Sequence, residues 1–71
     1  MDEYKLLHDF GRNLKDLLND SRISQKELSE LTGISEPTIS RYIAGNMMPT
    51  LKNIVSIMEA LDCDYEDLID Y

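Results

Sequence analysis

The chain has 71 residues, of which 42% are hydrophobic and 30% charged, and its formal net charge is −7 at pH 7. This length corresponds to one small domain with a thin core, and no apolar run approaches the ~18 residues that a membrane-spanning helix needs. One Cys and one His provide neither an internal disulfide nor a metal-ligand cluster. We therefore expect a cytoplasmic protein without a secretory leader, a metal or a cofactor.

The acidic charge is unevenly distributed, which bears on the class of partner. Residues 1–20 carry a net charge of −2, residues 21–49 are neutral, and residues 50–71 carry −5. A net negative charge argues against a nucleic-acid partner. The acid is concentrated in the last third of the chain, however, so the neutral middle segment remains able to approach DNA, although repulsion at low salt persists.

Residues 4–20 predict a first helix. Its apolar residues recur at helical spacing and form one stripe, made of Leu7, Phe10, Leu14, Leu17 and Leu18. Gly11 costs this helix up to about 1 kcal/mol relative to alanine, so we expect a neighbouring element to approach closely there. Arg12, Lys15 and Arg22 fall off the stripe and are expected to face solvent, with contact to phosphate as the alternative.

A capping box predicts where the second helix begins. Ser24 and Glu27 have the S-x-x-E spacing in which each side chain accepts from the other's backbone N–H, so a helix is expected over residues 25–31. Gly33 ends it, because glycine readily adopts the positive φ that terminates helices.

A third helix follows after a tight turn. Ser35 is a good cap for residues 36–44, and Pro37 falls in the first turn, where its missing N–H costs no hydrogen bond. Two short capped helices joined by a glycine-containing turn are typical of a helix-turn-helix, here at about residues 25–44.

The remaining apolar residues predict two more helices and the core. In the helix-turn-helix, the expected inward residues are Leu28, Leu31 and Ile39, with either Tyr42 or Ile43. A fourth helix, from the Thr50 cap to about Leu61, has the stripe Leu51, Ile54, Val55, Met58 and Leu61. A fifth, short helix carries Leu68 and Ile69 and is capped by Asp64 with Asp67 as a weaker partner. Residues 1–71 are thus predicted to form one all-α domain of five helices.

Enzymatic activity is not expected. The single His8 has no Ser, Cys or acid at a spacing that suggests a triad, and the chain contains no Gly-rich phosphate loop or HExxH motif. The many carboxylates fit a solvated acidic surface, so no catalytic residue is assigned.

The outer face of the third helix can read base edges, because the DNA major groove admits an α-helix. Arg41 could donate to guanine O6 and N7, a contact worth roughly 1–3 kcal/mol of discrimination; its alternative is a surface ion pair. Thr38 offers a hydroxyl and a methyl group. Glu36 could accept from cytosine N4 or could simply stabilise the helix N-terminus. The predicted base-reading residues are Ser35, Glu36, Pro37, Thr38 and Arg41.

Phosphate contacts are expected from helix N-termini and their flanks. Gln25 begins the second helix, so its side-chain amide and its N–H can both face a phosphate. The predicted phosphate contacts are Ser24, Gln25, Lys26, Ser40, Asn46 and Lys52.

The stretch from Ser24 to Pro49, S-Q-K-E-L-S-E-L-T-G-I-S-E-P-T-I-S-R-Y-I-A-G-N-M-M-P, resembles the phage-repressor and Cro-type (XRE-like) helix-turn-helix family. The resemblance extends from about Phe10 to Ile69. It implies a compact, lambda-repressor-like five-helix fold, insertion of helix 36–44 in the major groove, and a homodimer on a partly palindromic operator.

Carried over by position, the resemblance assigns a phosphate contact to Gln25. It also assigns contact with the DNA backbone to the loop that contains Asn46. Positions that commonly face the groove are Ser35, Glu36, Thr38 and Arg41. The chain departs from the family pattern at Ser29, where alanine is usual, and at Ile43-Ala44, where Glu-Asn is common. It also departs at Met47-Met48, which replaces a loop that is often basic, and at Pro37, which is limited to apolar contact.

These observations predict a sequence-specific DNA-binding transcription regulator, a repressor or the DNA-binding part of one. It is expected to act as a dimer through its fourth and fifth helices and C-terminus. The alternative is a protein-interaction module on the same fold. Its binding surface would include the acidic tail, Met47, Met48 and any exposed parts of Tyr65, Leu68, Ile69 and Tyr71.

Overall fold

The computed structural model describes residues 2–69. They form five helices in chain order: α1 (Glu3–Ser21), α2 (Gln25–Thr32), α3 (Glu36–Ile43), α4 (Leu51–Leu61) and α5 (Tyr65–Leu68). The first four helices begin and end within one residue of their predicted positions. The all-α, five-helix prediction is therefore confirmed.

Side-chain hydrogen bonds fix the starts of the helices. The Ser24 hydroxyl accepts from the Glu27 N–H (3.0 Å), and the Glu27 carboxylate accepts from the Ser24 N–H (3.3 Å), which confirms the capping box. Thr50 caps α4 in a similar way, and the Asp67 carboxylate accepts from the Asp64 N–H at α5 (2.9 Å). These bonds satisfy N–H groups that have no partner within their helix.

The core lies between α1 and the four shorter helices. Its buried apolar side chains are Phe10, Leu14, Leu18, Leu28, Ile34, Ile39, Tyr42, Ile54, Ile57, Leu61, Leu68 and Ile69. Of the two residues considered for the inner side of α3, Tyr42 is the buried one and Ile43 is half-buried.

The predicted stripe of α4 is wrong in part. Leu51 is 75% exposed and Val55 is 45% exposed, whereas Ile57, which the stripe left out, is completely buried. The buried positions Ile54, Ile57 and Leu61 follow the spacing i, i+3, i+7, which forms one side of a helix. Because α4 has apolar residues on more than one side, its sequence alone allows two stripes.

Leu31 was also expected in the core, but it is 61% exposed. It borders an open cavity of about 280 Å³ between α2 and α4, lined also by Thr32, Ser56, Glu59 and Ala60. The facing side chains of α4, Ser56 and Ala60, are too small to cover the leucine.

Gly11 lies where α1 meets the C-terminal end of α3. A Cβ atom built on Gly11 would lie 2.5 Å from the Tyr42 carbonyl oxygen and 2.6 Å from the Ile43 carbonyl oxygen. The expected close approach is confirmed, and the neighbour is the backbone of α3. The absence of a side chain at this position therefore sets the distance between α1 and α3.

Asp9 lies in a cluster of charged groups on α1. Its carboxylate accepts from Lys5 Nζ and from Arg12 Nη2, the latter at 3.2 Å. The hydrogen bond from Lys5 lowers the pKa of Asp9, and the nearby positive charges act in the same direction, while partial burial opposes them. Because the folded-state pKa is lowered, Asp9 stabilises the fold above its unfolded-state pKa, and this stabilisation is lost as the pH falls.

We accordingly expect Asp9→Asn to lower the free energy of unfolding at pH 7, and this deficit should shrink below about pH 4. Urea unfolding of the wild type and the variant at pH 7 and pH 3 measures the change. Asp16→Asn, at an exposed position of the same helix, is the control. Its effect on the free energy of unfolding should be the same at pH 7 and pH 3. An Asp9→Asn deficit of equal size at both pH values would contradict this explanation.

Candidate nucleic-acid interface

The turn between α2 and α3 is held by local hydrogen bonds. Gly33 has φ of +79° and its N–H donates to the Ser29 carbonyl oxygen. The Thr32 hydroxyl donates to the Leu28 carbonyl oxygen (2.7 Å) and accepts from the Ile34 N–H (3.1 Å). A turn fixed in this way holds α3 at a defined angle to α2.

The third helix has one buried side and one exposed side. Ile39 and Tyr42, three residues apart, are buried in the core. The predicted contact residues Glu36, Pro37, Ser40 and Arg41 are exposed, and Thr38 is half-buried. The exposed side is thus polar and carries a single cation, the Arg41 guanidinium.

Two predicted contact residues are already engaged as helix caps. The Ser35 hydroxyl accepts from the Thr38 N–H (3.3 Å) and donates to Thr38 Oγ1 (2.9 Å). The Thr38 hydroxyl proton consequently remains available to a ligand. Ser24, in the capping box, likewise donates its N–H to the Glu27 carboxylate and accepts from the Glu27 N–H with its hydroxyl oxygen. A ligand contact by either serine has to share the hydroxyl with the cap.

A cavity of about 330 Å³ opens beside the start of α2. Its apolar floor is formed by Leu18, Ile23 and Ile43, and its polar rim by Lys15, Asn19, Ser24 and Gln25. The structure therefore brings two predicted phosphate contacts, Ser24 and Gln25, together with two polar residues of α1. Asn19 was not among the predicted contacts. The sequence feature that could have identified Asn19 is its spacing of four residues from Lys15, which places both side chains on one side of a helix.

The other predicted phosphate contacts lie apart from this cavity lining. Lys26 follows Gln25 on α2, Ser40 is on α3, Asn46 is in the exit from α3, and Lys52 is in the first turn of α4; all four are exposed. The Asn46 N–H donates to the Arg41 carbonyl oxygen (2.9 Å), so this loop is tied to the end of α3.

The residues of the alternative protein-interaction surface are only partly exposed. Leu68 and Ile69 are buried and Met47 packs partly against the core, whereas Met48 and Tyr65 are each 48% exposed. Leu68 is held further by the Asn13 side-chain amide, which donates to its carbonyl oxygen at 2.9 Å. Tyr71 lies outside the described residues.

Cys63 is the single thiol of the chain. Burial, with the nearby charges of Asp67, Asp64 and Asp62, raises the pKa of the Cys63 thiol, which disfavours the nucleophilic thiolate. Within residues 2–69, no three or more His, Cys, Asp or Glu side chains are grouped so that they could hold a metal ion. Over the same range, every helix is too short or too polar to cross a membrane.

The family model of the Cro/C1-type HTH DNA-binding domain matches residues 13–71. The fold is similar to the crystal structure of the restriction-modification controller protein C.AhdI from Aeromonas hydrophila, with a TM-score of 0.87 and 29% sequence identity over 93% of this chain and 100% of that one.

Three curated proteins with similar sequences are all longer than this chain. An HTH-type transcriptional regulator of Bacillus subtilis, YqaE, which is itself uncharacterised, is 27% identical over 84% of this chain and 52% of its own length. The replication factor C small subunits of Thermococcus kodakarensis and Methanocaldococcus jannaschii are 36% and 41% identical over 73% and 65% of this chain. The chain spans only 6% and 2% of their lengths.

Proposed function

We propose that this chain, which belongs to the Cro/C1-type helix-turn-helix DNA-binding family, is a sequence-specific transcription regulator that reads the major groove with α3. The observation that carries the proposal is the exposed polar side of α3, held on a core by Ile39 and Tyr42. Similarity to a restriction-modification controller protein supports a regulatory role. Repression is the simplest action of a DNA-binding domain, because occupying an operator requires no further contact.

Base readout is assigned to the exposed side of α3. The Arg41 guanidinium can donate two hydrogen bonds to a guanine, and Glu36 can accept from cytosine N4. Thr38 retains a hydroxyl proton and can place its methyl group against thymine. Pro37 can offer only apolar contact, and the Ser35 hydroxyl is shared with the helix cap. Sequence discrimination therefore depends mainly on Arg41.

Phosphate contacts are assigned to the cavity beside α2 and to the exposed side chains around it. Gln25 and Lys15 share the rim of that cavity, and the helix N-terminus favours an anion there. Ser24, Lys26, Ser40, Asn46 and Lys52 complete the predicted phosphate set. Lys5 and Arg12 have Asp9 as a partner, so the cations available around α2 and α3 are few.

A dimer is proposed because single-protomer contacts of this kind are weak and operator symmetry mirrors protein symmetry. Leu51 and Val55, four residues apart on α4, are exposed apolar side chains. Such residues on one side of a helix are suited to burial against a second copy. The interface proposed at α4 and α5 would bury them.

Selection of bound duplexes from a random DNA pool tests the proposal. We expect one partly palindromic consensus with half-sites about 10 base pairs apart, as a two-fold dimer requires. Binding titrations on the selected duplex at several salt concentrations should give a shallow dependence of log K on log salt. Lys5 and Arg12 apart, five cations of residues 2–69 are exposed, Lys15, Arg22, Lys26, Arg41 and Lys52, and they limit the slope to about −4.5 per protomer, at about −0.9 per neutralised phosphate. Failure to enrich any sequence would overturn the proposed function.

A further inference from the structure

Tyr42 holds α3 to the rest of the domain from the side opposite to the DNA-facing surface. Its side chain is 1% exposed and its ring packs edge-on against Phe10, with the ring centroids 5.6 Å apart. Its hydroxyl oxygen accepts a hydrogen bond from the Asn53 side-chain amide at 2.8 Å. The bond joins the third helix to the fourth.

Asn53 is itself fixed in place. It lies in the first turn of α4, where its backbone N–H donates to the Thr50 capping hydroxyl at 3.1 Å. Between Tyr42 and Thr50 the chain turns through Gly45, whose φ is +75°. The Asn53–Tyr42 hydrogen bond closes this connection and links the exit of α3 to the start of α4.

The two kinds of contact made by α3 constrain different motions. Its packing on α1, at Gly11 and Phe10, sets how closely the helices approach. The hydrophobic burial of Tyr42 is not directional, whereas a hydrogen bond weakens as its angle departs from linear. The bond from Asn53 therefore adds, on the α4 side, a directional restraint on the rotation of α3 to that of the edge-on ring contact with Phe10. Tyr42 is next to Arg41 in the chain, and any rotation of one moves the other.

We infer that Asn53 is a positioning residue for DNA reading: through Tyr42 it sets the rotation of α3, and thereby the direction in which Arg41 meets the base edges. This inference rests on the proposed function. Positioning affects contacts with bases, which need a defined geometry, far more than contacts with phosphates. Loss of the bond should therefore lower sequence discrimination, not overall DNA affinity.

The experiment compares affinities for the duplex selected from the random pool and for a scrambled duplex of equal length. Tyr42→Phe and Asn53→Leu should each lower the ratio of the two affinities about three- to tenfold, the range expected for one hydrogen bond. The double variant should be no worse than Asn53→Leu alone, because both changes remove the same bond. Tyr4→Phe removes a hydroxyl from a side chain that is 79% exposed and should leave the ratio unchanged.

A rescue variant separates positioning from general destabilisation. Asn53→Asp offers a carboxylate that accepts from the Tyr42 hydroxyl, so its ratio of affinities for selected and scrambled duplexes should be closer to that of the wild type than to that of Asn53→Leu. Combined with Tyr42→Phe, which removes the hydroxyl, Asn53→Asp should give no such recovery. All titrations are made at a temperature where thermal unfolding shows each variant to be folded. If Asn53→Leu does not fold, the comparison of Tyr42→Phe with Tyr4→Phe decides the question.

An unchanged ratio in folded Tyr42→Phe would overturn the inference, even if that variant unfolds at a lower temperature. This result differs from a failure of the proposed function, in which the wild-type chain itself selects no sequence. Equal loss of affinity for the selected and scrambled duplexes would also overturn the inference, because it would indicate altered phosphate contact.

Discussion

Ile57→Ala should lower the free energy of unfolding by about 3 kcal/mol, within the range of 2–5 kcal/mol found for large-to-alanine changes in cores. Ile57 is completely buried in the middle of α4, and α4 packs on both α1 and α2. The loss combines the transfer energy of the removed carbons with the cost of the cavity they leave. Net stability of so small a domain is only a few kcal/mol, so the variant is expected to be largely unfolded at 37 °C.

Urea or thermal unfolding followed by circular dichroism measures this effect, and Leu51→Ala is the matched control on the same helix. Leu51 is 75% exposed, so its truncation should change stability by less than about 0.5 kcal/mol in the monomer. A larger loss of stability in Leu51→Ala than in Ile57→Ala would show that α4 packs on the core through the side that carries Leu51 and Val55.

Gly11→Ala should destabilise the fold by about 2 kcal/mol, although alanine normally stabilises a helix relative to glycine by about 1 kcal/mol. The added Cβ atom would lie 2.5 Å from the Tyr42 carbonyl oxygen and 2.6 Å from that of Ile43. These are backbone atoms and cannot rotate away, so α1 and α3 must separate. The same displacement should weaken binding to the selected duplex.

Gly33→Ala provides the comparison that isolates backbone conformation from crowding. Beyond its own chain neighbours, no heavy atom lies within 4 Å of a Cβ built at Gly33, but its φ is +79°. The expected cost is about 1 kcal/mol, that of placing alanine in the left-handed region. Chemical denaturation of both variants gives the two values. If Gly11→Ala is neutral or stabilising, the close contact between α1 and α3 is not a constraint on the fold.

The sequence was sufficient for the helices because their ends carry strong local signals. Ser24 with Glu27, Gly33 and Ser35 mark the boundaries of α2 and α3 through bonds made within a few residues. The close approach at Gly11 was also predictable, since a glycine inside a regular stripe is costly without a packing reason. The identity of the neighbour, the backbone at Tyr42, was not, because it depends on how α1 crosses α3.

The inward side of α4 was not predictable from the sequence for a related reason. Leu51, Val55 and Ile57 are all apolar, and only the positions of α1 and α2 decide which of them is buried. Leu31 was misplaced because the size of the residues facing it, Ser56 and Ala60, matters only once α2 and α4 are packed together.

The candidate contact surface also contains residues that the sequence predicts and residues that only the tertiary fold brings together. The residues of α3 followed from helical periodicity, since Ile39 must be buried if the helix is to be held at all. Asn19 and Leu18 come from α1 and Ile43 from α3, so only the tertiary fold brings them to the cavity at the start of α2. The link between Tyr42 and Asn53 likewise joins residues whose pairing no local pattern specifies.

The most direct test of the central claim, that α3 reads the DNA sequence, is the ratio of affinities for selected and scrambled duplexes in Arg41→Ala, measured by fluorescence anisotropy. Arg41 is exposed, so the variant should stay folded. Lys26→Ala is the control, because loss of a phosphate contact should weaken binding to both duplexes equally and reduce the salt slope by about 1. We expect Arg41→Ala to lower the ratio by about 5- to 150-fold, equivalent to about 1–3 kcal/mol of discrimination. A ratio equal to that of the wild type would contradict the claim.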